Sequence, residues 1–252
     1  MKSDQLLVGK TAVITGCNRG IGEAVLRLFA AHGATIYACV RQPSEAFNTL
    51  LQALRDAHTV EISPFYCDFE IIEQVKAVAG QMLSNKESIH ILVNNAAAIE
   101  TSSFQMTSVG QIEKLYRINF IAPILLTQYL ARRMRKNDSS AIVNITSTAA
   151  IDGNEGRLAY ASSKAALIAA TKVMGKELAD MGIRVNALAP GLTLTDMMVG
   201  STAETVQTEI VNRLAIKRIA LVEEMAEAVL FLSSGMSSYM TGQVMRVDGG
   251  MS

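Results

Sequence analysis

Short, mainly apolar runs alternate along the chain with longer stretches whose apolar positions recur at helical spacing. Thr11–Thr15, Thr35–Val40, Ile62–Cys67, Ile89–Val93, Ala141–Thr146 and Arg184–Leu188 do not alternate apolar with polar at every second position. That pattern predicts strands covered on both faces, as in a parallel sheet. Gln243–Val247 supplies a last strand. Helices are predicted over Ile21–His32, Glu45–Ala57, Ile71–Ser84, Ile112–Lys136, Tyr160–Met181 and Glu223–Ser233. Strand–helix alternation of this length implies right-handed crossovers and an α/β, doubly wound parallel sheet of about seven strands with helices on both faces. No linker, repeat or low-complexity segment interrupts it, so residues 1–252 are read as a single domain. Gly191 to Leu214 has only weak helical periodicity and is expected to form a flap.

Composition narrows the classes. Of 252 residues, 50% are hydrophobic and 18% charged, which suits a buried core and not a disordered chain. Lysine plus arginine equals aspartate plus glutamate at 23 each, so no field draws the chain to nucleic acid or to an anionic membrane. Cys17, Cys39 and Cys67 are odd in number and form no C-x-x-C pair. They point to a reducing, cytoplasmic setting and to neither disulfides nor a metal site. Met1 to Lys10 shows no signal-peptide pattern. Ile118 to Ala131 is interrupted by Asn119, Pro123, Thr127 and Gln128, and so reads as a buried helix, not a membrane span. His32, His58 and His90 lie far from the motifs described next.

The first strand runs through Thr15-Gly16-Cys17-Asn18-Arg19-Gly20-Ile21-Gly22 straight into a helix. Glycines there allow close backbone approach, and the free N–H groups of a helix start favour an anion. The spacing is G-x-x-x-G-x-G, and a plain strand-to-helix turn would use the same residues. NAD sites usually carry a carboxylate at the end of the second strand. Here Cys39, Val40 and Arg41 offer none. Arg19 and Arg41 match the 2′-phosphate of NADP(H) in place of NAD(H), although Arg41 also suits a solvated loop. Asp68, after the third strand, is a candidate acceptor for an adenine amino group.

Tyr160-Ala161-Ser162-Ser163-Lys164 puts a phenol and an amine four residues apart, hence on one helix face. Carbonyl reduction by a nicotinamide needs a hydride and, from the protein, a proton. Bringing a phenol down from about 10 by about 3 units corresponds to about 4 kcal/mol, a task shared here by the Lys164 ammonium and the nicotinamide charge. Ser147 follows the strand Ala141–Thr146 and is placed to bond a substrate carbonyl. Asn94-Asn95-Ala96-Ala97 follows the fourth strand, at another carboxyl end where ligands bind in such sheets.

Taken together these segments resemble the short-chain dehydrogenase/reductases over essentially the whole chain, which implies a Rossmann-like fold. Thr15–Gly22 resembles T-G-x-x-x-G-I-G, Asn94–Ala97 resembles N-N-A-G, and Tyr160–Lys164 is Y-x-x-x-K. Pro190-Gly191 with Thr195 resembles P-G-x-x-x-T beside a nicotinamide. The resemblance implies a catalytic tetrad of Asn119, Ser147, Tyr160 and Lys164, with Asn119 holding a water in a proton relay. It implies cofactor contacts from Gly16, Asn18, Arg19, Gly20, Ile21, Gly22, Arg41, Asp68, Phe69, Asn94, Ala96, Tyr160, Lys164, Pro190, Gly191, Thr193 and Thr195. Ala97 departs from the usual glycine and Thr193 from the usual aliphatic residue. Within the family the chain most resembles the 3-oxoacyl-[acyl-carrier-protein] reductases of fatty-acid synthesis. That implies a cytoplasmic homotetramer that docks an acidic carrier protein through Arg132 and Lys176, one on each of two helices; the cluster Arg132–Lys136 suits an acidic partner and equally suits the dipole of a helix C-terminus. Glu155 and Arg157 suit a sugar or other small polar ketone equally well, and a non-catalytic NADP(H) sensor is a third reading.

Overall fold

The apolar runs pair into one sheet in the computed structural model, which describes residues 5–85, 87–134 and 139–251. In chain order the elements are β1 (Thr11–Thr15), α1 (Gly20–Ala31), β2 (Thr35–Val40), α2 (Glu45–His58), β3 (Ile62–Tyr66), α3 (Ile72–Ser84) and β4 (Ile91–Asn94). Next come α4 (Val109–Tyr116), α5 (Ala122–Met134), β5 (Ser140–Ile145), α6 (Ala149–Asp152), α7 (Leu158–Glu177) and β6 (Ile183–Pro190). The chain closes with α8 (Asp196–Ser201), α9 (Glu204–Arg213), α10 (Val222–Ser233) and β7 (Val244–Val247). All strands are parallel, in the order β3-β2-β1-β4-β5-β6-β7. The connections leave in opposite directions from β1 and β4, which makes a crevice at their carboxyl ends.

Burial explains why the strands are legible. Every residue of β1 and β5 is buried, and alternate side chains serve two cores. Ala12 and Ile14 of β1 pack with Leu26 and Phe29 of α1 and Val229 of α10. Val13, between them, packs with Met82 of α3 and with Leu126 and Leu130 of α5 on the other face. Full burial of such a side chain contributes about 1.5–3 kcal/mol, so the two layers fix the register of the sheet.

One predicted helix is two. Instead of running unbroken from Ile112, the chain forms α4, a π-helical turn at Arg117–Ile121, and then α5. The cause is Pro123, which has no N–H to offer the Asn119 carbonyl four residues earlier. Ala122 N instead reaches back to the Arg117 carbonyl, widening the turn. The predicted end at Lys136, its neighbour Arg135, and Met1–Asp4 and Ser252 lie outside the described residues. The predicted flap holds two short helices, α8 and α9. Only Met198 of these is buried, which accounts for the weak periodicity there. No helix among the described residues is long and apolar enough to cross a membrane.

Candidate active site

The carboxyl ends of the strands border a cavity of about 1870 Å³. At one end lies the turn from β1 to α1. Gly16 and Gly20 adopt φ of 66° and 56°, the left-handed region that glycine enters without strain. Gly22 is needed for space, since a Cβ there would lie 2.2 Å from the Gly16 carbonyl oxygen and 2.4 Å from Asn95 Nδ2. That Asn95 amide donates to the carbonyls of Thr15 and Gly16 at 3.0 and 2.9 Å. Thr15 Oγ1 in turn accepts from the backbone N–H groups of Asn95 and Ala96, both at 3.0 Å. The start of α1 and the exit of β4 are thereby fastened together. Arg19, which precedes α1, does not cap it with its side chain, so the first amides of the helix remain available to an anion. Arg19 and Arg41 both line the cavity, and the end of β2 contributes Val40, Arg41 and Gln42 with no carboxylate. Free helix amides and two arginines suit the phosphates of a dinucleotide.

At the other end β5 and α7 converge. Ser147, Tyr160 and Lys164 all line the cavity. Tyr160 is buried, and burial raises its pKa above the ordinary phenol value. A hydrogen bond with Ser147 and the nearby positive charge of Arg157 act in the opposite direction. Lys164 is almost completely buried, and its Nζ donates to the Ile145 carbonyl at 2.8 Å. Burial alone brings this amine down to about 7. In the cofactor-free chain this burial works against the Lys164 ammonium that was expected to lower Tyr160. Desolvation makes the lysine shed its proton near neutrality, and the opposing cation is Arg157.

Asn119 is fully buried. Its Oδ1 accepts from Ala98 N at 2.9 Å, while Nδ2 donates to the Ala98 carbonyl at 2.9 Å and to Ser163 Oγ at 3.1 Å. Ser163 Oγ donates to the Tyr160 carbonyl at 2.7 Å. The side chain thus ties the exit of β4 to the helix turn that carries Tyr160. Pro123, four residues on, has no N–H to bond the Asn119 backbone carbonyl in α-helical fashion.

Of the residues expected to meet cofactor or substrate, Asn94 and Asn119 do not line the cavity. Asn94 is buried beneath it, donating to Thr127 Oγ1 at 3.1 Å and Asn144 Oδ1 at 2.8 Å. Asn95, next along the same motif, lines the cavity in its place. All the others named for cofactor contact do line it: Gly16, Asn18, Arg19, Gly20, Ile21, Gly22, Arg41, Asp68, Phe69, Ala96, Tyr160, Lys164, Pro190, Gly191, Thr193 and Thr195. The three cysteines are buried and free, and burial raises their thiols, Cys67 to about 12, so none supplies a thiolate. Arg132 and Lys176 are exposed on α5 and α7. Arg133 of the same cluster is occupied with the Leu83 carbonyl at 2.9 Å.

Comparison with known proteins agrees with this geometry. A family model described as Enoyl-(Acyl carrier protein) reductase matches residues 16–252. The 3-oxoacyl-[acyl-carrier-protein] reductase FabG of Chlamydia muridarum is 36% identical over 98% of this chain and 99% of its own length. L-sorbose reductase from Gluconobacter frateurii, solved with NADPH and L-sorbose, superposes with a TM-score of 0.90 at 29% identity, covering 99% of this chain and 98% of that one. A 7α-hydroxysteroid dehydrogenase complexed with NADH and 7-oxo glycochenodeoxycholic acid gives 0.92 at 31% identity, covering 98% and 96%. With a glycine turn at one end of the crevice and Ser147, Tyr160 and Lys164 at the other, the chain belongs to the short-chain dehydrogenase/reductase family, oxidoreductases that use a nicotinamide cofactor on CH–OH and C=O groups.

Proposed function

We propose that the protein is an NADP(H)-dependent reductase whose main substrate is a 3-oxoacyl thioester carried on acyl carrier protein. The observation behind the chemistry is the buried Tyr160, in one cavity with Ser147, Lys164 and the amides that begin α1. A bound nicotinamide dinucleotide supplies the hydride. Ser147 holds the substrate carbonyl oxygen and Tyr160 gives it a proton, so that C=O becomes CH–OH. Lys164 and a water on the Asn119 carbonyl return a proton to the Tyr160 phenolate. Arg19 and Arg41 favour the 2′-phosphate of NADP(H), which the absence of a carboxylate at the end of β2 supports. Asp68 and Phe69 would hold the adenine end, while Pro190, Gly191, Thr193 and Thr195 would hold the nicotinamide.

Similarity to the Chlamydia muridarum reductase supports the carrier-bound substrate. The same reading entails a homotetramer in the cytoplasm, with the acidic carrier meeting Arg132 and Lys176. A second reading, a sugar or other small polar ketone, is favoured by the likeness to L-sorbose reductase and by Thr101, Glu155 and Arg157 on the cavity wall. Initial rates with acetoacetyl thioesters, set beside a panel of sugars and small ketones, separate the two. Thioesters are expected to turn over fastest with NADPH, and a sugar turning over faster would overturn the first reading. Tight NADP(H) binding without turnover of any carbonyl would instead indicate a sensor.

A further inference from the structure

Arg157 stands immediately before α7, three positions ahead of Tyr160. It is only 9% exposed, and it forms no ion pair with a carboxylate among the described residues. Its Nη1 donates to Thr101 Oγ1 at 2.6 Å. Its Nη2 donates to the Ser201 carbonyl at 2.6 Å and to Thr202 Oγ1 at 3.3 Å. Thr101 belongs to the loop leaving β4, Ser201 ends α8, and Thr202 joins α8 to α9. One guanidinium therefore links the cavity wall, the start of the catalytic helix and the middle of the flap.

Helix formation does not account for this arginine. The position before a helix favours Ser, Thr, Asn or Asp, and the helix dipole disfavours a cation there. Arg157 makes no side-chain cap. Burying a guanidinium among neutral acceptors gives up hydration without an opposite charge in return. What it provides is the shorter of two side-chain holds on the Ser201 carbonyl, the other being Thr101 Oγ1 at 3.4 Å. The flap is pinned at both ends by backbone hydrogen bonds: Leu194 N to the Ala220 carbonyl at 2.9 Å, and Ile216 N to the Gly249 carbonyl at 2.9 Å. Between these pins α9 buries no residue and α8 buries only Met198. Because its acceptors are uncharged, water can replace them, so the hold is reversible.

We propose that Arg157 is a positioning residue that latches the middle of the flap over Tyr160, so that closing the pocket means assembling it around this guanidinium. Only the kinetic consequence rests on the carbonyl-reductase reading. The test is hydrogen exchange of the amides in residues 196–213, measured without substrate on the full chain for wild type, Arg157→Ala, Arg157→Lys and Thr202→Val. Exchange in that segment should speed up about tenfold or more in Arg157→Ala, while α1 and α10 keep their protection. Thr202→Val should move it the same way by less, and Arg157→Lys should recover part of the protection through the Ser201 carbonyl. In the kinetic arm, KM for the carbonyl substrate should rise about tenfold in Arg157→Ala with a smaller fall in kcat. Unchanged exchange in Arg157→Ala would overturn the latch. So would lost turnover with normal flap exchange, which would make Arg157 a substrate-binding group. If Arg157→Ala loosens the whole protein, Thr202→Val decides, and normal flap exchange in it also overturns the proposal. A protein that turns over no carbonyl compound leaves the exchange result standing, so the two failures are separable.

Discussion

Replacing Lys164 with methionine should stabilise the cofactor-free protein, by an amount that depends on pH in a set way. The lysine is almost fully buried, its amine bonds the Ile145 carbonyl, and burial brings it from 10.5 to about 7. A shift of about 3.5 units corresponds to about 5 kcal/mol against folding with the lysine charged. Below pH about 7 the folded and unfolded chains both hold the proton, and this penalty is present in full. Between about 7 and 10.5 the unfolded lysine keeps a proton that the folded one has released. The unfolded state then binds more protons, so wild-type stability rises with pH by about 1.4 kcal/mol per unit. Methionine has no proton to lose, so the advantage of Lys164→Met should be largest near pH 6. It should shrink by about 3 kcal/mol between pH 7.5 and 9.5. Urea unfolding of both proteins at pH 6, 7.5 and 9.5, at one protein concentration, measures this difference and cancels every other titration. An advantage that does not vary with pH would show that the amine is not desolvated, and the argument would fail.

Three further outcomes are expected. Tyr160→Phe should cut kcat by about a thousandfold or more while cofactor still binds; a near-normal rate would remove Tyr160 as the acid. Arg19→Ala with Arg41→Ala should lower kcat/KM for NADPH by about tenfold or more while sparing NADH, and equal losses with both cofactors would refute the phosphate role. Gly22→Ala places a methyl against the Gly16 carbonyl and the Asn95 amide, contacts that backbone atoms cannot relax cheaply. It should lose about 3 kcal/mol or more of stability, or fail to fold, and a variant as stable as wild type by urea unfolding would contradict the packing described for that turn.

The inner strands of the sheet were legible because they are buried on both faces, so burial alone writes them as apolar runs; β1 and β5 are the clearest cases, while the edge strands β3 and β7 are partly exposed. The same logic fails where burial does not change. The apolar pattern passes without a mark through the π turn at Arg117–Ile121, because Leu115, Asn119 and Ala122 are buried whichever helix they join. The mark was covalent: Pro123 removes the one N–H that the Asn119 carbonyl needs. The flap was hard to read for the opposite reason, since α9 buries nothing and so leaves no stripe. In the N-N-A-A segment the sequence offers two adjacent asparagines and no means of choosing between them. The pleat of β4 chooses, sending Asn94 under the sheet to Thr127 and Asn144 and Asn95 into the cavity.

Spacing shows which side chains share a helix face, but not the solvation they meet there. Tyr160 and Lys164 do fall on one face of α7, as four-residue spacing requires, yet the amine loses its hydration and with it much of its charge near neutrality. Arg157 is also buried, and burial lowers its pKa too, but a guanidinium starts from 12.5 and does not release its proton in proteins. The persistent positive charge beside Tyr160 is therefore that of Arg157, and it stays buried through bonds to Thr101, Ser201 and Thr202. Burial nevertheless raises the Tyr160 pKa by more than Arg157 lowers it, so the guanidinium offsets only part of the cost of burying a phenolate.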